Sequence, residues 1–104
     1  VFCGNDQMAI GAIKYLKEQN IRIPQDIKLV GYDDIFISSV VEPSISTIHI
    51  KKRHTGIEAA KLLLKRIESQ SLDEPPRGIK MDGSLVVRHS TVADIQVDDN
   101  LADW

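Results

Sequence analysis

One pattern near the start of the chain restricts its fold more than any other: a short apolar run, an amphipathic helical stretch and a second apolar run, joined by short links. Val1 to Gly4 is apolar, and Asn5 and Asp6 then open a helical register. Met8, Ala9, Ala12, Ile13 and Leu16 recur at three- and four-residue spacing, with Lys14, Lys17 and Glu18 on the opposite face. Asn5 or Asp6 is placed to cap the helix and Asn20 to end it. After Pro24 and Asp26, the run Ile27 to Tyr32 reads as a strand apolar enough to be buried on both faces. Strand, helix and strand with short connections form a βαβ unit, which requires a parallel pair and places the chain among α/β folds.

The remaining sequence extends that frame. Ile35 to Val41 is apolar but broken by Ser38 and Ser39, and Pro43 blocks its continuation; Ser46 to Ile50 then alternates as a third strand. Lys51 to Ser69 is the longest helical pattern, with Ile57, Ala60, Leu64 and Ile67 on one stripe and Leu63 beside it. Thr55-Gly56-Ile57-Glu58 has capping-box spacing and offers a later start for that helix. A polar connection containing Pro75-Pro76 follows, then β character from Ile79 to Thr91 with Gly83 as a bend or bulge. Residues 93–104 form an acidic stretch expected to be a loose tail.

Composition narrows the function classes. A net charge of −2 argues against a nucleic-acid surface within these 104 residues, because such surfaces carry a basic stripe. The one dense basic cluster, Lys51-Lys52-Arg53-His54, reads first as a solvated helix start. No apolar run reaches the roughly 18 residues needed to span a membrane. The single cysteine, Cys3, forms no internal disulfide framework and fits a reducing compartment. The sequence has no Gly-x-Ser-x-Gly elbow, His-Glu-x-x-His, Walker loop or Gly-x-Gly-x-x-Gly. His49, His54 and His89 lack metal-ligand spacing, so we expect no metal, no cofactor and no catalytic residue.

Two residues do suggest a site. Asn5 follows the first strand, and Asp33 stands at the carboxyl end of the second. Ligands of open α/β sheets settle outside the carboxyl ends of the strands. An Asn amide and an ionised carboxylate together offer the donors and acceptors that vicinal hydroxyls require. On spacing alone the stronger reading of the same residues is a helix cap and an ordinary turn.

The wording of four segments adds a resemblance. Asn5-Asp6-Gln7-Met8-Ala9-Ile10-Gly11-Ala12, the run Ile23 to Asp34 ending in Val30-Gly31-Tyr32-Asp33-Asp34, Pro43-Ser44-Ile45-Ser46-Thr47-Ile48, and Leu85-Val86-Val87-Arg88-His89-Ser90-Thr91 resemble, in order and spacing, segments of LacI/GalR transcription repressors. The resemblance spans residues 1 to about 92. It implies a parallel-sheet α/β sandwich, a fragment of a bilobed, periplasmic-binding-protein-like (type I) domain whose effector lies between two lobes. Residues 1–50 would belong to the C-terminal lobe, 51–76 to a helix of the other lobe, and 77–92 to closing strands. Asn5 and Asp33 fall on positions that hold the effector in the family, a sugar or other small molecule. Ile50 stands where relatives often carry Gln, which leaves the effector's identity open.

The resemblance further implies a cytoplasmic homodimer. Ile10, Phe36, Val40 and Val41 would contribute to its contact, although on sequence alone core packing is the favoured account of them. Operator DNA would be reached only through an N-terminal headpiece that these residues do not include. A periplasmic sugar-binding protein of a transporter and a small α/β enzyme using Asp33 and Asp34 are the competing readings. The helix bearing Ile57, Leu63, Leu64 and Ile67 also lacks a lobe to pack on. Four large apolar side chains left in water forfeit roughly 6–12 kcal/mol, comparable to the ~5–15 kcal/mol stability of a whole domain. We therefore expect that face to be covered by another chain or by the rest of the parent protein.

Overall fold

The first helix begins because Asn5 holds extended backbone (φ −156°) and its Oδ1 accepts the Met8 N–H at 2.8 Å. That cap satisfies one of the unpaired donors of the first turn. In the computed structural model, which describes residues 1–69 and 73–97, this helix is α1, Asp6–Glu18. Asp6 in its first turn and Lys17 in its last complement the helix dipole. Asn20, at φ 59°, turns the chain away in the left-handed conformation that Asn tolerates, as its sequence position predicts.

Ala9 and Ile13 form the buried stripe of α1 and meet Cys3, Leu29 and Ile45, with Ile10, Ala12, Leu16, Ile23 and Val41 packed around them. Met8, expected on that stripe, is 62% exposed. The apolar core is therefore small, and polar residues fill much of the interior: Asp6, Asp34, Ser38, Ser44, Ser46, Thr47, Arg88 and Ser90 are all buried. Each must find partners inside the protein, and the site is built from those partnerships.

The parallel pairing implied by the βαβ pattern is present. Phe2 bridges Val30, and Val30 bridges Ser46, both in parallel. Cys3 N donates to Val30 O (2.8 Å), Val30 N to Val1 O (2.9 Å), Gly31 N to Ser46 O (2.8 Å) and Asp33 N to Ile48 O (3.1 Å). The segment 27–32 is not a continuous strand, however, and pairs only through local bridges. Parallel ladders are favoured when both faces are covered, and the first segment leaves Val1 and Phe2 exposed.

Beyond it lie α2 (Ile37–Val40), β1 (Thr47–His49), α3 (Lys52–Glu68) and β2 (Ser84–Val86). β2 pairs antiparallel with β1, matching Thr47 with Val86, Ile48 with Leu85 and His49 with Ser84. The β character expected over Ile79 to Thr91 thus condenses to three residues. Gly83 permits the approach: a Cβ there would stand 2.6 Å from Ile48 Cγ2 and 3.3 Å from His49 O.

α3 starts at Lys52, not at the capping-box position. Thr55 instead donates both its N–H and its hydroxyl to Lys51 O. No residue of α3 is buried, and Leu63, Leu64 and Ile67 are more than half exposed. The acidic stretch 93–104 lies outside the described residues from position 98 onward.

Candidate functional site

The dipeptide Asn5-Asp6 splits its two side chains between surface and interior. Asp6 N donates to Tyr32 O at 3.0 Å, which draws the start of α1 against the end of the second segment. The Asp6 carboxylate is fully buried and accepts three hydrogen bonds: from Thr47 Oγ1 (2.6 Å), Ser38 Oγ (2.7 Å) and Ile35 N (2.9 Å). Bonds to an ionised acceptor are short and strong, so Asp6 ties α1, the start of α2 and β1 to one point. Gly31 makes room for it, since a Cβ at that position would lie 2.1 Å from Asp6 Oδ1.

Asn5 remains at the rim, half-buried, with its oxygen committed to the α1 cap. Capping leaves its amide nitrogen available to another acceptor. Across the Asp6–Tyr32 hydrogen bond stands Asp33, also half-buried, on backbone with φ 103°. The structure thus brings the two sequence-selected polar residues to neighbouring carboxyl ends of the parallel region.

Asp34 does the opposite of its neighbour and turns inward. Its Oδ2 is 2.8 Å from His49 Nδ1, and its Oδ1 is 2.8 Å from Arg88 NH1, where both side chains are nearly buried. The Arg88 contact is a close ion pair without hydrogen-bond alignment, while NH1 donates to Ile45 O at 3.0 Å. Lys52, opening α3, reaches over this turn with Nζ directed to Asp33 O and, at 3.4 Å, to Asp34 O. Sequence reasoning missed Asp6, His49 and Arg88. The available signal was the doubled Asp, since consecutive residues at a strand end point in different directions and an inward carboxylate needs a buried cation.

The remaining residues selected from sequence take simpler places. His89 spans Ser44 Oγ (3.3 Å) and Ile95 O (3.0 Å), a strap across the closing segment. Phe36 and Val40 are each 59% exposed, whereas Ile10 and Val41 are partly buried against the core. Among the described residues no cluster of His, Cys, Asp and Glu has the makings of a metal site, and no helix is long and apolar enough to cross a membrane. Away from the crevice, Arg22 chelates Asp26 through its backbone N–H and its guanidinium, and the side-chain bonds hold the Asp26 carboxyl down at about 2.

A helix capped beside parallel-bridged segments, its first turn tied to the end of the second segment, defines an α/β module. Residues 1–91 match the model of the periplasmic binding protein-like domain. The repressor PurR of Pasteurella multocida is 43% identical over 90 residues, covering 86% of this chain and 26% of that protein. Among solved structures, the transcriptional regulator CelR in complex with cellobiose superposes with a TM-score of 0.77 at 31% identity, covering 86% of this chain and 27% of that one. The lac repressor dimer bound to operator and the anti-inducer ONPF superposes with a TM-score of 0.72 at 35% identity, covering 88% and 27%.

The chain belongs to the periplasmic binding protein-like family, and within it to the effector-binding domain of LacI/GalR repressors. It spans about a quarter of the length of the curated relatives it matches.

Proposed function

We propose that this chain is the effector-sensing and dimerisation part of a LacI/GalR-type DNA-binding transcription regulator. The observation that carries this reading is the hydrogen bond from Asp6 N to Tyr32 O, which sets the Asn5 and Asp33 backbones beside each other, in a chain that matches transcription repressors. Asn5 would donate through its amide and Asp33 would accept through its carboxylate, the pairing that adjacent hydroxyls of a sugar need. The CelR–cellobiose complex supports a sugar as the ligand class.

In this reading residues 1–50 form part of one lobe of a type I parallel-sheet sandwich. Residues 51–76 carry the helix of the other lobe, and 77–92 return as closing strands. The bare face of α3 supports the division: Leu63, Leu64 and Ile67 together forgo several kcal/mol of burial at ~1.5–3 kcal/mol each. Phe36 and Val40, with Ile10 and Val41 behind them, would face a second copy, as the lac repressor dimer suggests. Effector binding would shift the population of lobe or dimer arrangements and thereby operator affinity, acting through a headpiece elsewhere in a cytoplasmic parent protein.

The test is a thermal-shift screen of the full-length protein against mono- and disaccharides, beginning with cellobiose. Each hit is followed by fluorescence anisotropy on operator DNA. A saturable sugar that also changes DNA affinity is expected. Turnover of the sugar without any effect on DNA binding would overturn the reading.

A further inference from the structure

Asp33 and Asp34 occupy the left-handed region together, at φ 103° and 53°. Neither is a glycine; Asp enters that region more readily than most residues, but two in succession is an uncommon conformation that the surroundings must hold. Such strain gathers at sites where a side chain must be aimed. The surroundings here are specific. Asp34 is gripped from two sides, by His49 Nδ1 on Oδ2 and by Arg88 NH1 beside Oδ1, each at 2.8 Å. Its N–H donates to Thr47 Oγ1 at 3.3 Å, and Asp33 N donates to Ile48 O at 3.1 Å. Arg88 is itself anchored, with its side chain on Ile45 O and its N–H on Ser46 Oγ at 2.7 Å.

A buried Arg–Asp pair is a poor way to gain stability, because a well-packed apolar pair of the same volume generally does as well or better. What such a pair supplies is a fixed geometry. We propose that Arg88 and His49 are positioning residues of the effector site: by gripping Asp34 they hold the neighbouring Asp33 in its left-handed backbone conformation. The proposal rests on the reading of Asp33 as an effector ligand. It assigns to the closing segment, through Arg88, a direct hold on that ligand's orientation.

The test compares wild-type full-length protein with His49→Leu, His49→Gln and Arg88→Met. Each is selectively labelled with ¹³C,¹⁵N-aspartate, and the Asp33 signal is identified by its loss in Asp33→Ala. The Cα and carbonyl shifts of Asp33 report its backbone conformation, and a melting curve establishes that each variant is folded. His49→Leu and Arg88→Met are expected to move the Asp33 shifts toward extended values. His49→Gln, which keeps an N–H donor for Asp34, is expected to restore them.

Unchanged Asp33 shifts in folded His49→Leu and Arg88→Met overturn the proposal, leaving a structural cluster that affects melting alone. A shift in His49→Leu that Gln does not correct also overturns it. Should Arg88→Met not fold, the two His49 variants decide. No effector is needed, so the outcome is independent of whether Asp33 binds a sugar.

Discussion

Arg88 and Asp34 meet in the interior of the protein with NH1 2.8 Å from Oδ1, although one lies in the closing segment and the other at the end of the second parallel segment. Their side chains are 2% and 5% exposed, so this pair is shielded from solvent screening in a way the surface pairs are not. Removing Arg88 leaves the buried Asp34 carboxylate with His49 as its remaining side-chain partner. We expect Arg88→Met to cost about 3–5 kcal/mol, measured by urea denaturation of the full-length protein. The double substitution Arg88→Met with Asp34→Leu should recover part of that loss, because the Arg–Asp charges go together while His49 Nδ1 loses its partner.

Gly31 and Asp6 make a steric prediction. An added Cβ at residue 31 would sit 2.1 Å from Asp6 Oδ1, and Asp6 is held by three donors and has nowhere to retreat. Gly31→Ala should destabilise by at least the ~1–3 kcal/mol of an overpacked core. Gly11→Ala, where a Cβ meets nothing within 4 Å, serves as the control and should not destabilise. Denaturant midpoints of the two variants check the difference.

The surface pair Arg22 and Asp26 gives one carboxyl a distinct acid titration. The side-chain bonds from Arg22, then its backbone N–H, lower the Asp26 carboxyl from 3.8 to about 2. A carboxyl depressed on folding contributes stability that is fully present above its unfolded value and is lost as pH falls through its folded one. The contribution should therefore fade between about pH 4 and 2. In an NMR titration, Arg22→Gln should bring the Asp26 midpoint back toward 3.8.

The exposed apolar pair Phe36 and Val40 carries the assembly prediction. Val40→Asp would desolvate a charge in any interface formed there, and should convert a dimer of the full-length protein to monomer without changing its melting temperature as a monomer. Sedimentation equilibrium measures the shift. Ile10 and Val41 are weaker probes, because their packing against the core would confound assembly with stability.

The sequence revealed those parts of the fold that depend on local periodicity and end chemistry. The α1 boundaries followed from Asn5 and from the three-four spacing of Ala9, Ala12, Ile13 and Leu16. That Asn5 and Asp33 follow the ends of two neighbouring segments was likewise legible from where the apolar runs stop. Contacts between distant segments were not legible. Nothing local marks Asp6 as a triple acceptor, or pairs Arg88 with Asp34. The second segment reads as a strand of six residues from its apolarity, yet its bridges gather at Val30. Apolarity reports burial and is silent on how far a ladder extends. For α3 the stripe of Ile57, Leu64 and Ile67 identified the helix correctly, while its lack of buried residues among the described ones could not be read from the pattern.

The most direct measurement is isothermal titration of the full-length protein with the sugar found by thermal shift, repeated on Asn5→Ala and Asp33→Ala. The account predicts one saturable site per chain, weakened by roughly 1.5–3 kcal/mol, a factor of ten or more, when the charged hydrogen bond of Asp33 is removed. It also predicts a smaller loss at Asn5, partly offset by a weakened α1 cap. Equal affinity in wild type and both variants would contradict it.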